Sequence, residues 1–293
     1  MNQLTLRQLR YFEALAHHGH FGRAAEASFV SQPALSMQIR ELEETLGVTL
    51  VERGSRTVRL TPVGEETAAR ARDILRAVDE LGDMARNAAG GLAGRLRIGV
   101  IPTVAPYLLP SVITTLSRMY PALDIKIRET ITPTLISALK EGRIDMAIVA
   151  LPTSEPTLTE MELFSEAFML VRPKAQANAP VPRAEDLPAM RLLLLEEGHC
   201  FRDQALSFCA LGGTTTRDML DASSLSTLVQ MVSSGIGVTL IPEMAVSVET
   251  RSADVAISRL ADPQPGRSIG MVWRKANPLG PTLKDIATAL KRP

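Results

Sequence analysis

The chain has 293 residues, with 32 basic and 32 acidic side chains and no net charge, and 45% of it is apolar. That length calls for two or more domains of about 100–200 residues, and the apolar fraction suffices for a sizeable core. The charge balance excludes a uniformly basic coat but not a local basic patch. Two cysteines exclude a disulfide scaffold. The start, Met1 to Arg10, carries Arg7 and Arg10 and no apolar core, so it does not read as a signal peptide. No run approaches the roughly 18 apolar residues of a membrane span. The expectation is a soluble, cytoplasmic protein with no membrane partner. No Cys-x-x-Cys pair, metal-ligand cluster, phosphate-binding glycine loop or Ser/His/Asp arrangement is visible, so no metal, cofactor or enzymatic activity is expected.

The first helix is read from Leu4 to Gly19, where Leu6, Leu9, Tyr11, Phe12, Leu15 and Ala16 recur at helical spacing. A second, short helix covers Phe21 to Ala27. Ser31 is a good N-cap, and Pro33 is tolerated in the first turn of the helix that follows. That third helix, Gln32 to Leu46, should bury Leu35, Ile39, Leu42 and Leu46 and present Gln32, Ser36 and Arg40 on its other face. Two short helices joined by a tight turn, the second with a polar N-terminal face, make a helix-turn-helix. Its chemistry suits DNA: glutamine can pair with adenine in two-pronged fashion, serine can donate or accept, and arginine serves guanine or phosphate. Ser31, Gln32, Pro33, Ser36 and Arg40 are the candidate reading residues. Thr49 to Leu60 reads as a hairpin around Gly54-Ser55, carrying Arg53, Arg56 and Arg59 against the single acid Glu52, a wing that can lie along phosphates. Packing alone could also account for such a helical module with a charged hairpin.

Phe21-Gly22-Arg23-Ala24-Ala25, Ser31-Gln32-Pro33-Ala34-Leu35-Ser36, Ile39-Arg40-Glu41-Leu42-Glu43, Leu46-Gly47, Leu50-Val51-Glu52-Arg53 and Leu60-Thr61-Pro62-Val63-Gly64 together resemble the N-terminal domain of LysR-type transcriptional regulators. The resemblance implies a winged helix-turn-helix that binds double-stranded promoter DNA. From Val63 to Ala89 the pattern is one long helix without proline. Thr67, Ala71, Ile74, Val78, Leu81, Ala85 and Ala88 form a heptad seam, which would pair with a second copy or, less tellingly, pack on its own domain. Gly90-Gly91 and Gly94 should then break the helix as a hinge.

The period then changes. Strands at Leu96–Ile101, Leu123–Arg128 and Ile144–Val149 alternate with helices at Pro106–Met119 and Thr134–Leu139, which implies a parallel sheet with covering helices. Thr103 and Thr130 or Thr132 follow strand ends, so they should share the sheet edge where ligands of open α/β folds bind; each could equally be a helix cap. Residues 151 to 185 read as loop-rich, with a strand at Leu163–Val171. Strands follow at Leu192–Leu195, Val238–Ile241 and Ile269–Trp273, and helices at Ser223–Ser234 and Leu283–Leu290. The pattern fits two α/β lobes like those of periplasmic binding proteins. The domains expected are 1–62 (winged helix-turn-helix), 63–91 (linker and dimerisation helix) and 92–293 (two-lobed effector domain).

Glu196 to Cys209 holds both cysteines, nine residues apart, and His199. If the run between them is one helix, the two Cα atoms lie about 13.5 Å apart on opposite faces. A disulfide tolerates about 7 Å, so the pair can join only if the segment unwinds. Gly198 loosens the backbone before a helix start, where free amides and the helix dipole would favour a thiolate at Cys200. Arg202 and His199 can add positive charge or a hydrogen bond, while Glu196, Glu197 and Asp203 oppose this. Cys209, between Phe208 and Ala210, reads as buried. Two inert buried thiols remain the alternative on these grounds.

Ile101-Pro102-Thr103-Val104, Pro106-Tyr107-Leu108-Leu109-Pro110 and Leu195-Glu196-Glu197-Gly198-His199-Cys200-Phe201-Arg202-Asp203-Gln204-Ala205 resemble the OxyR group of LysR-type regulators. That resemblance implies a hydrogen-peroxide sensor controlling antioxidant genes, with Cys200 peroxidatic, Cys209 its disulfide partner, and Thr103, Thr132, His199 and Arg202 lining the peroxide pocket. It also implies a homotetramer, an activator's contact with RNA polymerase, and reset by cellular thiol reductants. The alternative is a LysR-type regulator that binds a small metabolite in the effector cleft.

Overall fold

The computed structural model describes residues 4–52, 58–88, 94–183, 186–187, 190–208 and 221–291. The chain divides into two compact units, Met1–Ala89 and Gly90–Pro293.

In the first unit, α1 (Leu6–His18), α2 (Phe21–Ala27) and α3 (Gln32–Leu46) pack around Phe12, Leu15, Leu35 and Leu42. Their limits follow from their caps. Thr5 and Gln8 form a reciprocal capping box at α1, and Gly19 ends it in the left-handed region. Ser31 caps α3 through Ala34 N–H, and Gly47 ends it. β1 (Val51–Glu52) and β2 (Arg59–Leu60) pair antiparallel, with Val51 opposite Leu60, so the wing is a hairpin as expected. Leu46 departs from expectation and is exposed. The inward place in the last turn of α3 is taken by Glu43, whose Oε1 accepts from Leu50 N–H at 2.8 Å and Val51 N–H at 3.1 Å. A carboxylate that satisfies two strand amides outweighs burying one more leucine at a helix end.

The long helix α4 runs Pro62–Ala88, as the sequence pattern predicts. Ala68 and Ala71 are buried, Ala68 within the head's core. Ile74 and Leu81, further along the seam, are 43% and 66% exposed. Gly90 and Gly91 lie outside the described residues. Gly94 does not belong to the break: it is the first residue of β3 and pairs with Leu123.

The second unit contains two lobes sharing one long strand. β3 (Gly94–Val100) pairs parallel with β4 (Leu123–Glu129) and with β5 (Met146–Leu151). β11 (Gly266–Arg274) pairs antiparallel with β5 and with β6 (Leu158–Pro173). The region expected to be loop-rich apart from a strand at Leu163–Val171 thus holds a longer strand of sixteen residues that contains it. Pro152 and Pro156 precede that strand, Pro180 and Pro182 follow it, and Pro173 is its last residue, opposite Val255, so no proline falls in the strand interior. The far half of β6 pairs with β9 (Val238–Pro242) and with β10 (Val255–Ser258), and β9 continues through β7 (Leu192–Leu195) to β8 (Asp221–Ala222). Helices α5 (Ala105–Met119), α6 (Thr132–Lys140) and α10 (Gly280–Leu290) belong to the first lobe. Helices α7 (Cys200–Phe208), α8 (Leu225–Ser233) and α9 (Val246–Glu249) belong to the second. Each lobe has its own apolar core.

Candidate functional site

Two surfaces carry the chemistry. On the head, Ser31, Gln32, Pro33 and Arg40 are exposed and Ser36 is half-exposed, spaced along one side of α3. Ser31 Oγ accepts from Ala34 N–H at 3.4 Å, so this hydroxyl is a helix cap first. Arg53 and Arg56 lie outside the described residues, as does the Gly54-Ser55 turn. Arg59 is exposed on β2.

In the effector unit, β3 and β4 run parallel side by side, so the segments that leave them share an edge; Thr130 N–H donates to Val100 O at 3.2 Å across it. Thr132 begins α6 there. Its hydroxyl is buried and has no hydrogen-bond partner among the described residues. Opposite it comes the loop from β7. Gly198 adopts φ 92°, and a Cβ there would lie 2.9 Å from Ile131 Cδ1. Only glycine combines that backbone with that approach. Cys200 is the first residue of α7 and half-buried. A cleft of about 660 Å³ opens between these elements, with Thr132, Ile136, Gly198, Cys200 and Asp203 among its walls. Thr103, His199 and Arg202 are not in those walls.

Each of those three has a defined place. Thr103 is buried, and its hydroxyl and carbonyl accept from Arg267 Nη1 and Nη2 at 2.8 and 3.0 Å. Arg267 Nε donates to Glu166 Oε1 at 2.9 Å, and the guanidinium carbon stands 5.4 Å from the centroid of the Phe201 ring. Arg202 Nη1 donates to Leu195 O and to Asp221 Oδ1, both at 2.6 Å, so its charge is matched by a carboxylate and it fixes α7 to β7 and β8. Burial pushes the His199 imidazole below its ordinary value, partly offset by Glu196. Neutral imidazole is therefore favoured over the positive charge that was one of its two expected roles. Cys209 lies outside the described residues.

Sequence reasoning missed Arg267 and Glu166. The available signal was a charged residue just before the apolar run Ile269–Trp273 of β11, which a core tolerates only when paired. Among the described residues, no group of three or more His, Cys, Asp or Glu could hold a metal ion, and no helix is long and apolar enough to cross a membrane.

Residues 6–65 match the model of the bacterial regulatory helix-turn-helix proteins of the lysR family, and residues 89–292 match the LysR substrate binding domain. The chain belongs to the LysR family. Like its relatives, this LysR-family chain is a DNA-binding transcription regulator. It is 45% identical to a Streptomyces viridosporus protein named "probable hydrogen peroxide-inducible genes activator", over 99% of this chain and 94% of that one. A full-length OxyR of Pseudomonas aeruginosa with a cysteine-to-aspartate substitution is 36% identical, with a TM-score of 0.77 over 99% of this chain and 95% of that one. A cysteine mutant of Corynebacterium glutamicum OxyR with hydrogen peroxide bound is also 36% identical, with a TM-score of 0.66 over 99% of this chain and 92% of that one.

Proposed function

We propose that this LysR-family regulator senses hydrogen peroxide through Cys200 and controls antioxidant genes by reshaping its contact with promoter DNA. The observation that carries the reading is the pairing of Cys200, at the first position of α7, with the unpartnered Thr132 hydroxyl in one cleft. A buried hydroxyl without a partner is a cost unless a polar guest takes the bond. The likeness to peroxide-inducible activators supports hydrogen peroxide as that guest. His199 supplies a hydrogen bond beside the thiol, Thr103 is held by Arg267, and Arg202 fixes the helix that carries the thiol.

The chemistry runs as follows. The Cys200 sulfur attacks one peroxide oxygen, an S–O bond forms, the O–O bond breaks, and water leaves, which gives a sulfenic acid. The Cys209 sulfur then attacks the Cys200 sulfur. An S–S bond forms, the S–O bond breaks, and a second water leaves. The protein has lost two hydrogens and peroxide is reduced to water. The segment between the two cysteines must unwind to allow this, and cellular dithiols reverse it by exchange.

Residues 1–62 form the DNA-reading head in this account, with Ser31, Gln32, Pro33, Ser36, Arg40, Arg53 and Arg56 on the DNA. Residues 63–91 form the dimerisation helix, a role supported by the exposed seam at Ile74 and Leu81. Residues 92–293 form the sensor. Pairs of dimers would give a tetramer, and RNA polymerase is the partner at the promoter. The test is intact-mass measurement of the full chain on peroxide treatment: the wild type loses two hydrogens and Cys200→Ser does not. Loss of two hydrogens by Cys200→Ser would sink the reading. One observation favours a second reading, in which a small metabolite is the effector: the cleft of about 660 Å³ is far larger than peroxide needs. A metabolite would act undiminished on the Cys200→Ser, Cys209→Ser double variant.

A further inference from the structure

We propose that Phe29 and Met37 give the DNA-reading head of this chain an apolar readout of thymine methyl groups. The inference rests on the assignment of α3 to the major groove. Helix α2 ends in a double hydrogen bond: Phe29 N–H donates to Glu26 O at 3.1 Å and Val30 N–H to Ala25 O at 3.0 Å. Val30 thereby turns back onto the head's core. This ending places the intervening residue in the left-handed region, and Phe29 sits there at φ 56°. Glycine fills that position without steric cost, whereas a bulky side chain is strained there. Nor does the fold recover the strain through burial, because the Phe29 side chain is 96% exposed. The head's own stability therefore argues for a smaller residue at this position, and something outside the head must account for the ring.

Its surroundings say what that is. Phe29 lies two residues before Ser31, the cap of α3, on the approach to the helix that faces the groove. Met37 is 55% exposed on α3, one residue after Ser36 and three before Arg40, so it shares the reading side. Apart from Pro33, the rest of that side is polar or charged: Gln32, Ser36 and Arg40. The apolar feature that the major groove presents is the C5-methyl group of thymine. A second copy of the chain is a poorer partner for these two side chains, because the apolar seam suited to one lies on α4, at Ile74 and Leu81. Phe29 and Met37 thus set a preference for thymine at positions flanking those read by Gln32 and Arg40.

The experiment uses full-length protein and duplexes that the wild type recovers from a random-sequence pool. Each duplex is made twice, once with thymine and once with uracil, which lacks only the methyl group. The wild type should bind the uracil form about tenfold more weakly. Phe29→Gly and Met37→Ala should each shrink that ratio, with weaker binding to the thymine form and little change on the uracil form. Phe29→Gly should also raise the melting temperature of the head, so lost binding could not be ascribed to unfolding. Equal wild-type affinity for the two forms would overturn the inference while leaving the DNA-reading assignment intact. So would an undiminished thymine preference in both variants. Recovery of no duplex at all would overturn the assignment itself and the inference with it.

Discussion

Replacing Arg267 with methionine should destabilise the effector unit by about 3–5 kcal/mol, the cost of breaking a buried ion pair by removing one partner. The structure sets this scale. The Arg267 side chain is fully enclosed and makes three hydrogen bonds, two to Thr103 and one to Glu166. Methionine keeps the volume and the apolar stem but strands the Glu166 carboxylate, which is only 6% exposed and retains Met244 N–H at 3.0 Å. Glu166→Gln in the same chain removes that stranded charge, so the double variant should recover about 1–3 kcal/mol relative to the sum of the single changes. The assay is urea unfolding followed by the fluorescence of Trp273, the only tryptophan, which is buried on β11, the strand that carries Arg267. With a slope of about 2–3 kcal/mol per molar urea, the midpoint should fall by about 1–2 M in Arg267→Met. A midpoint within about 0.3 M of wild type, or a double variant no better than additive, would refute the account of Arg267 as the ion that holds this junction.

Two further outcomes follow from packing and titration. Gly64→Ala tests a close approach: a Cβ at Gly64 would sit 2.1 Å from Leu50 O, so the head should lose about 1–3 kcal/mol, measured as its melting temperature. Helix propensity alone predicts the opposite sign, a gain of about 1 kcal/mol, so a stabilised variant would show that the wing and α4 are not in that register. For His199, burial lowers the folded-state value below the ordinary 6.5. The unfolded chain therefore binds the proton first, so the stabilisation is complete above pH 6.5 and is lost as the pH falls below it and through the folded value. The Trp273 urea midpoint should drop between pH 7.5 and 5.5 more in wild type than in His199→Asn, and parallel slopes would reject the burial argument.

Much of the head was legible because its limits are written in residues that act locally. Ser31 and Gly19 cap or stop helices through bonds within four positions, and the sequence shows those positions directly, whereas the start of α1, read at Leu4, lies after its cap, Thr5. Leu46 was misjudged because helical periodicity does not see the strand whose amides drew Glu43 inward. Proline density likewise shortened β6: Pro152 and Pro156 precede it and Pro173 ends it, so only Leu163–Val171 read as strand while the ladder begins at Leu158. At the site, Gly198 and Cys200 were found because glycine and a helix start are local signals. Arg267 was not, because its partner Thr103 is 164 positions away. The partner of Arg202 was hidden in the same way, since the Asp221 carboxylate that matches its charge lies 19 positions on, on β8.

Helix α7 shows why a change at one sulfur could reach the rest of the protein. Cys200 packs against the core of the first lobe, while the next residue, Phe201, and Ala205 are buried in the core of the second. Nine residues are too few to be helical on their own, so α7 persists only through these attachments and through Arg202. Local elements of that kind open at a fraction of the global stability, and the proposed bond between Cys200 and Cys209 would hold this one open. Unwinding would withdraw the Phe201 ring from beneath Arg267, and with it one of the groups that keep Arg267 on Thr103. On the proposed mechanism, the sulfur chemistry therefore acts on the relation between the two lobes through Arg267. A redox-dependent change in Trp273 fluorescence that survives Arg267→Met would break that link.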